Sequence, residues 1–159
     1  MDYKELAKSF CRLSYLRGMR SQTLARPISV SGENGVLLYI FNMTKDGKEV
    51  LPGDLVRELG ISFGRITNIL KVLERKGYVH KHHDSIDRRR VYVSLTNEGE
   101  RYISCKYQEA LNYFARLFEQ LGEEDAAEYY RITQRIHQIC EKQMNERDRS
   151  NAAVPPYDS

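Results

Sequence analysis

The 159-residue sequence has no run of uncharged apolar residues long enough to cross a bilayer. Its opening residues, Met1-Asp2-Tyr3-Lys4-Glu5, lack the basic-then-apolar pattern of a secretory leader. These two absences predict a cytoplasmic protein with no membrane partner. Cysteine is sparse: Cys11, Cys105 and Cys140 lie far apart without a C-x-x-C pair. That excludes a disulfide framework and a four-thiolate zinc site. There is no glycine-rich phosphate loop, no nucleophile elbow and no metal-ligand motif of usual spacing, and the four histidines do not make a triad. The expectation is a chain that is not an enzyme and carries no cofactor.

What is present is ordinary in amount and uneven in placement. With 41% apolar and 30% charged residues, the chain has the composition of a globular protein and length enough for one compact core. Between Ile61 and Leu95 eight lysines and arginines face three acids, whereas from Glu119 onward nine acids outnumber five bases. A basic stretch followed by an acidic one is the pattern of a surface that meets a polyanion.

Hydrophobic periodicity organises the chain into helices and one hairpin. Leu6, Phe10, Leu13 and Leu16 recur at helical spacing over 3–17, and Arg26-Pro27 ends that segment. A helix start at Ser31-Gly32-Glu33 leads into the stripe Val36, Leu37, Ile40, Phe41, and Lys45-Asp46-Gly47-Lys48 is a polar turn. Pro52 and Asp54 open a short helix with Leu55, Val56 and Leu59, ended by Gly60. Ser62 is a good N-cap for a further helix to Lys76, with Ile66, Ile69, Leu70 and Leu73 inward and Gly77 at its left-handed end. Two short helices around Gly60-Ile61 make a helix-turn-helix pattern.

The period then changes. Residues 78–83 and 91–95 read as two strands joined by the charged tip Asp84-Ser85-Ile86-Asp87-Arg88-Arg89-Arg90. A long helix from Thr96-Asn97 carries Ile103, Tyr107, Ala110, Leu111, Phe114, Leu117, Phe118 and Leu121 up to Gly122. Glu123, Glu124 and Asp125 suit the start of a last helix bearing Tyr129, Ile132, Ile136, Ile139 and Cys140. From Arg147, with Pro155-Pro156, a disordered tail is predicted.

Two sharp pieces lie at the centre. Leu73-Glu74-Arg75-Lys76-Gly77-Tyr78-Val79 is followed, at matching spacing, by Asp87-Arg88-Arg89-Arg90-Val91-Tyr92-Val93-Ser94-Leu95-Thr96-Asn97-Glu98-Gly99. Together they resemble the MarR family of winged helix-turn-helix transcriptional regulators, in which L-E-x-K-G ends the recognition helix and D-x-R, an alternating strand and L-T-x-x-G form the wing. The resemblance implies a mainly α fold with a small β-wing. Residues 1–30 would be an N-terminal dimerisation helix and connector, and 31–99 the winged helix-turn-helix DNA-binding domain. Residues 100–146 would be C-terminal dimerisation helices, with 147–159 the tail.

A helix fits the major groove of B-DNA, where outward side chains reach base edges. With the apolar stripe inward, the DNA-facing set is Ser62, Gly64, Arg65, Thr67, Asn68 and Lys71. Arg65 suits a guanine and Asn68 an adenine, while Thr67 and Lys71 suit phosphates; Gly64 lets the backbone come close. Relatives often have a basic residue at Asn68 and a small hydroxyl residue at Arg65, so no operator sequence carries over. In the wing, Arg89 stands where the family inserts an arginine into the minor groove. Arg88 and Arg90 flank it on phosphates, and Asp87 is expected to orient the Arg89 side chain.

The resemblance further implies a homodimer on a palindromic duplex, acting as a repressor released by a small phenolic or anionic effector. Cys11 with Tyr15 resembles the organic-peroxide-sensing branch, which makes redox release the alternative. His80, His82 and His83 with Asp84 invite a zinc reading, but adjacent strand residues face opposite ways, and no metal site is expected. A winged-helix module for protein contact alone would leave the basic helix and the three arginines unexplained.

Overall fold

The computed structural model describes residues 1–18 and 32–152. Six helices and two strands follow in order: α1 (Tyr3–Gly18), α2 (Glu33–Lys45), α3 (Pro52–Leu59), α4 (Phe63–Arg75), β1 (Val79–His83), β2 (Val91–Leu95), α5 (Asn97–Leu121) and α6 (Glu123–Ala152). The predicted elements match in kind and order. No helix among the described residues is long and apolar enough to cross a membrane. The chain forms two compact units, one of Met1–Arg26 with Phe114–Ser159, the other of Pro27–Tyr113.

In the first unit, Asp2 caps α1 by accepting the backbone N–H of Lys4 and of Glu5 at 2.9 and 3.2 Å. Ala7, Phe10 and Cys11 are buried. The Phe10 ring meets those of Phe114, Phe118 and Tyr129 at centroid distances of 5.0, 5.4 and 5.5 Å, an aromatic knot joining α1, the end of α5 and α6. On α6 the buried positions are Ala126, Thr133 and His137, while Tyr129, Ile132, Ile136 and Ile139 stay largely exposed. Of the apolar stripe expected on this helix, Tyr129 thus touches the aromatic knot, while Ile132, Ile136 and Ile139 are turned to the outside.

Nor does α6 stop at 146. It continues to Ala152, because Arg147–Ala152 holds no helix breaker and the first proline comes only at Pro155. Of the predicted tail, residues 153–159 lie outside the described residues, as does the connector at 19–31.

In the second unit, α2 is buried continuously from Gly35 to Phe41 and forms the centre. Helices α3 and α4 pack on it through Leu55, Ile66, Leu70 and Leu73. β1 and β2 pair antiparallel with Val79 opposite Leu95 and His83 opposite Val91. Val50 adds a third lane that the sequence reading missed: it bridges Val93, whose N–H donates to the Val50 carbonyl at 2.9 Å.

The boundary between the two units falls inside α5, between Tyr113 and Phe114. The first half of α5 is tied to the wing unit. Tyr102 stacks on Tyr78 with 4.6 Å between centroids, and its hydroxyl donates to Asn34 Oδ1 at 3.3 Å.

Candidate nucleic-acid interface

α4 is built to show one face. Ser62 caps it, Oγ accepting the Arg65 N–H at 3.4 Å. Ile66, Ile69, Leu70 and Leu73 are buried as the periodicity predicts, and Ser62, Gly64, Arg65, Asn68 and Lys71 are exposed on the other side. Thr67 is half-buried, and its hydroxyl proton goes to the Phe63 carbonyl at 2.9 Å, so it is already engaged. Phe63 itself was missed: it opens the helix with 62% of its surface exposed. An aromatic just after an N-cap carries no periodic signal, which is why the stripe did not include it.

The wing tip is held by Asp84, an acid that the sequence offers only as a charge and a metal-ligand candidate. Asp84 Oδ1 accepts the backbone N–H of Ile86 at 2.7 Å and of Asp87 at 2.8 Å. These two bonds, the Asp87 one first, hold the Asp84 carboxyl below its ordinary range. His83 Nδ1–H donates to the Arg88 carbonyl at 2.8 Å, and the Arg90 N–H donates to the Asp87 carbonyl at 2.9 Å. Asp87 Oδ1 accepts the backbone N–H of Arg89 at 3.0 Å, so Asp87 shapes the Arg89 main chain rather than gripping its guanidinium. Ile86, 95% exposed, stands at the apex.

One junction fixes the helix and the wing to each other. Gly77 leaves α4 with φ of 72°, a left-handed turn that glycine makes without a Cβ penalty. Thr96 Oγ1 donates to the Gly77 carbonyl, accepts the Gly99 N–H at 3.0 Å, and its own N–H donates to the Tyr78 carbonyl at 3.0 Å. At Gly99 a Cβ would lie 2.8 Å from the Tyr78 carbonyl carbon and nearer still to its oxygen. The L-T-x-x-G motif is thus a structural lock: threonine caps α5 and ties the strand to the α4 exit, while glycine permits the close approach. Lys81 adds an ion pair with Glu74 at 2.9 Å.

Electrostatically the surface divides. Lys8, Arg57, Lys76, Lys81, Lys106 and Arg131 each sit in an ion pair. Arg65, Lys71, Arg88 and Arg89 take part in no ion pair among the described residues. Those on α4 and the wing face outward as a group, within the chain's basic stretch.

The remaining candidates do not join this surface. Cys11 is buried in the other unit, and desolvation pushes its thiol up to about 11, which leaves little thiolate at neutral pH for reaction with peroxide. The Tyr15 side chain lies outside the described residues. His82 faces Tyr92, Ser94 and Glu49, with Nε2 3.8 Å from Glu49 Oε1, while His83 serves the wing tip. Among the described residues no three His, Cys, Asp or Glu are grouped to hold a metal ion.

Comparison with known proteins adds the following. The MarR family model matches residues 36–90, which run from α2 through α3, α4 and the wing tip. The uncharacterised HTH-type transcriptional regulator YfiV of Bacillus subtilis is 30% identical over 77 residues, 48% of each chain. A second from the same organism, YwaE, is 42% identical over 50 residues, 31% of this chain and 29% of that one. The chain thus spans about half or less of the length of the curated relatives it matches. Among solved structures, Streptococcus pneumoniae FabT in complex with DNA has a TM-score of 0.58 at 22% identity, covering 80% of this chain and 85% of that one. YusO from Bacillus subtilis has a TM-score of 0.54 at 19% identity, covering 86% of both. Likenesses at this identity establish the winged-helix fold.

Proposed function

We propose that this chain, whose residues 36–90 match the MarR family model, is a sequence-specific, double-stranded-DNA-binding transcriptional regulator of that family, working in the cytoplasm as a homodimer. It is a regulator and not an enzyme. The observation that carries the reading is the set of unpaired cations Arg65, Lys71, Arg88 and Arg89 on α4 and the wing, while the cations of Arg57, Lys76 and Arg131 are neutralised within the chain. Phosphates neutralise such a surface with release of counterions, which makes binding fall with salt.

In this mechanism α4 lies in the major groove. Arg65 and Asn68 face base edges, Lys71 faces the backbone, and Gly64 allows close approach. Arg89 enters the flanking minor groove, with Arg88 and Arg90 on phosphates. Two copies of α4 occupy successive major grooves about 34 Å apart on a palindrome. The exposed Ile132, Ile136 and Ile139 on α6 supply an apolar surface for the second copy. The dimer represses by covering promoter DNA. A small phenolic or anionic effector releases it by changing the spacing of the two recognition helices, a coupling of about 1–3 kcal/mol.

Fluorescence polarisation of the full chain against the DNA upstream of its own gene, at several salt concentrations, tests this. Tight binding that falls steeply with salt and resists competition by random duplex is the expected result. A folded dimer that binds no duplex at low salt would overturn it in favour of a protein-contact module.

A further inference from the structure

Phe63 is mostly exposed, at 62%, and stands outside the buried stripe of α4. The inward stripe of α4 begins at Ile66, the cap is supplied by Ser62, and the neighbours Ser62, Gly64 and Arg65 are all exposed. Nothing lies within 4 Å of where a Gly64 side chain would begin, so the space beside the ring is open. A single exposed apolar side chain is unremarkable on most surfaces. This one sits at the N-terminal end of the helix carrying Arg65 and Lys71, amid cations that no acid neutralises. A polyanion that meets the N-terminal end of this helix meets an exposed aromatic ring there.

The floor of the major groove offers one apolar group, the C5-methyl of thymine, and phenylalanine is among the side chains that meet it. The N-terminal residues of a recognition helix are those that reach base edges. Resting on the DNA-binding reading above, we propose that Phe63 is a specificity-determining residue that packs on a thymine methyl in each half-site. It complements Arg65 and Asn68: they read hydrogen-bonding edges, whereas Phe63 reads the group that distinguishes thymine from cytosine and from uracil.

The test uses a duplex selected from a random-sequence pool by the full-length protein, with each thymine of the bound site replaced singly by uracil. That exchange removes the methyl and preserves pairing. The wild-type protein should lose about fourfold in affinity at one thymine per half-site, the effect of exposing one buried methyl-sized group. Phe63→Ala should bind the thymine and uracil duplexes alike, and Phe63→Leu should recover part of the discrimination. Circular dichroism of both variants should match wild type, since Phe63 is 62% exposed and outside the buried stripe of α4. Wild-type indifference to every single exchange overturns the proposal, as does an equal loss in Phe63→Ala. A protein that selects no duplex at all overturns the DNA-binding reading instead.

Discussion

Helices α4 and α6 are both amphipathic, yet they leave opposite things uncovered. α4 buries Ile66, Ile69, Leu70 and Leu73 and leaves Arg65 and Lys71 bare. α6 buries small or polar Ala126, Thr133 and His137, leaves Ile132, Ile136 and Ile139 bare, and clamps Arg131 on Glu128 with two bonds of 2.7 and 2.6 Å. An uncovered cation and an uncovered isoleucine call for different partners. The first is satisfied by phosphate, the second by another apolar surface. Amphipathicity alone, then, says that a helix has two faces but not which of them its own chain will take.

Four substitutions break or sharpen this contrast. The largest effect is expected at Gly99, which supports the α4 side without touching either bare surface. Gly99→Ala forces a Cβ against the Tyr78 carbonyl, and should cost about 1–3 kcal/mol or more in denaturant unfolding, with loss of duplex binding. An unchanged midpoint would mean that the junction yields freely. Next is Ile136→Asp on the bare face of α6. Each substitution appears twice across a two-fold interface, so sedimentation should show at least a hundredfold weaker self-association with helicity retained. Undiminished association would move the interface elsewhere.

Arg89→Ala removes a bare cation from the wing and should weaken duplex binding by about 1–3 kcal/mol, with the melting temperature unmoved. Wild-type affinity would remove Arg89 from the groove. The smallest effect is expected for Arg131→Ala, which deletes an arginine whose charge Glu128 already meets at the surface. Neither melting temperature nor duplex affinity should change measurably. If it weakened binding as much as Arg89→Ala does, pairing would not be what separates the two sets of cations.

The helices, their order, the hairpin and the outward set on α4 were legible in the sequence because each rests on a periodic or capping signal: the Ile66-to-Leu73 stripe, Ser62, Gly77. The illegible features depend on where a chain element ends up. The α6 stripe has the spacing of a core stripe, and only the exposure of Ile132, Ile136 and Ile139 shows that this part of it is turned outward. Asp84 was read as one more charge at the tip, since its two backbone bonds exist only once the turn closes. Val50 has a single bridge and too short a segment to register as a strand. Arg89 was placed in the wing from the D-x-R motif, but the same motif suggested a grip by Asp87 on its side chain, where the bond is to its main chain.

The Thr96–Gly77–Gly99 junction has a consequence for how such a molecule measures distance. The exit of α4, the root of the wing and the first turn of α5 meet at three hydrogen bonds, two of them made by the Thr96 hydroxyl. None of these can turn without carrying the others, so α4 and the wing form a rigid caliper of fixed gap. In the proposed dimer, a releasing signal would have no means of opening that caliper and would act by moving one caliper relative to the other. The preferred bases within a half-site should therefore be the same in the tight and released states, and only the tolerated separation between half-sites should differ.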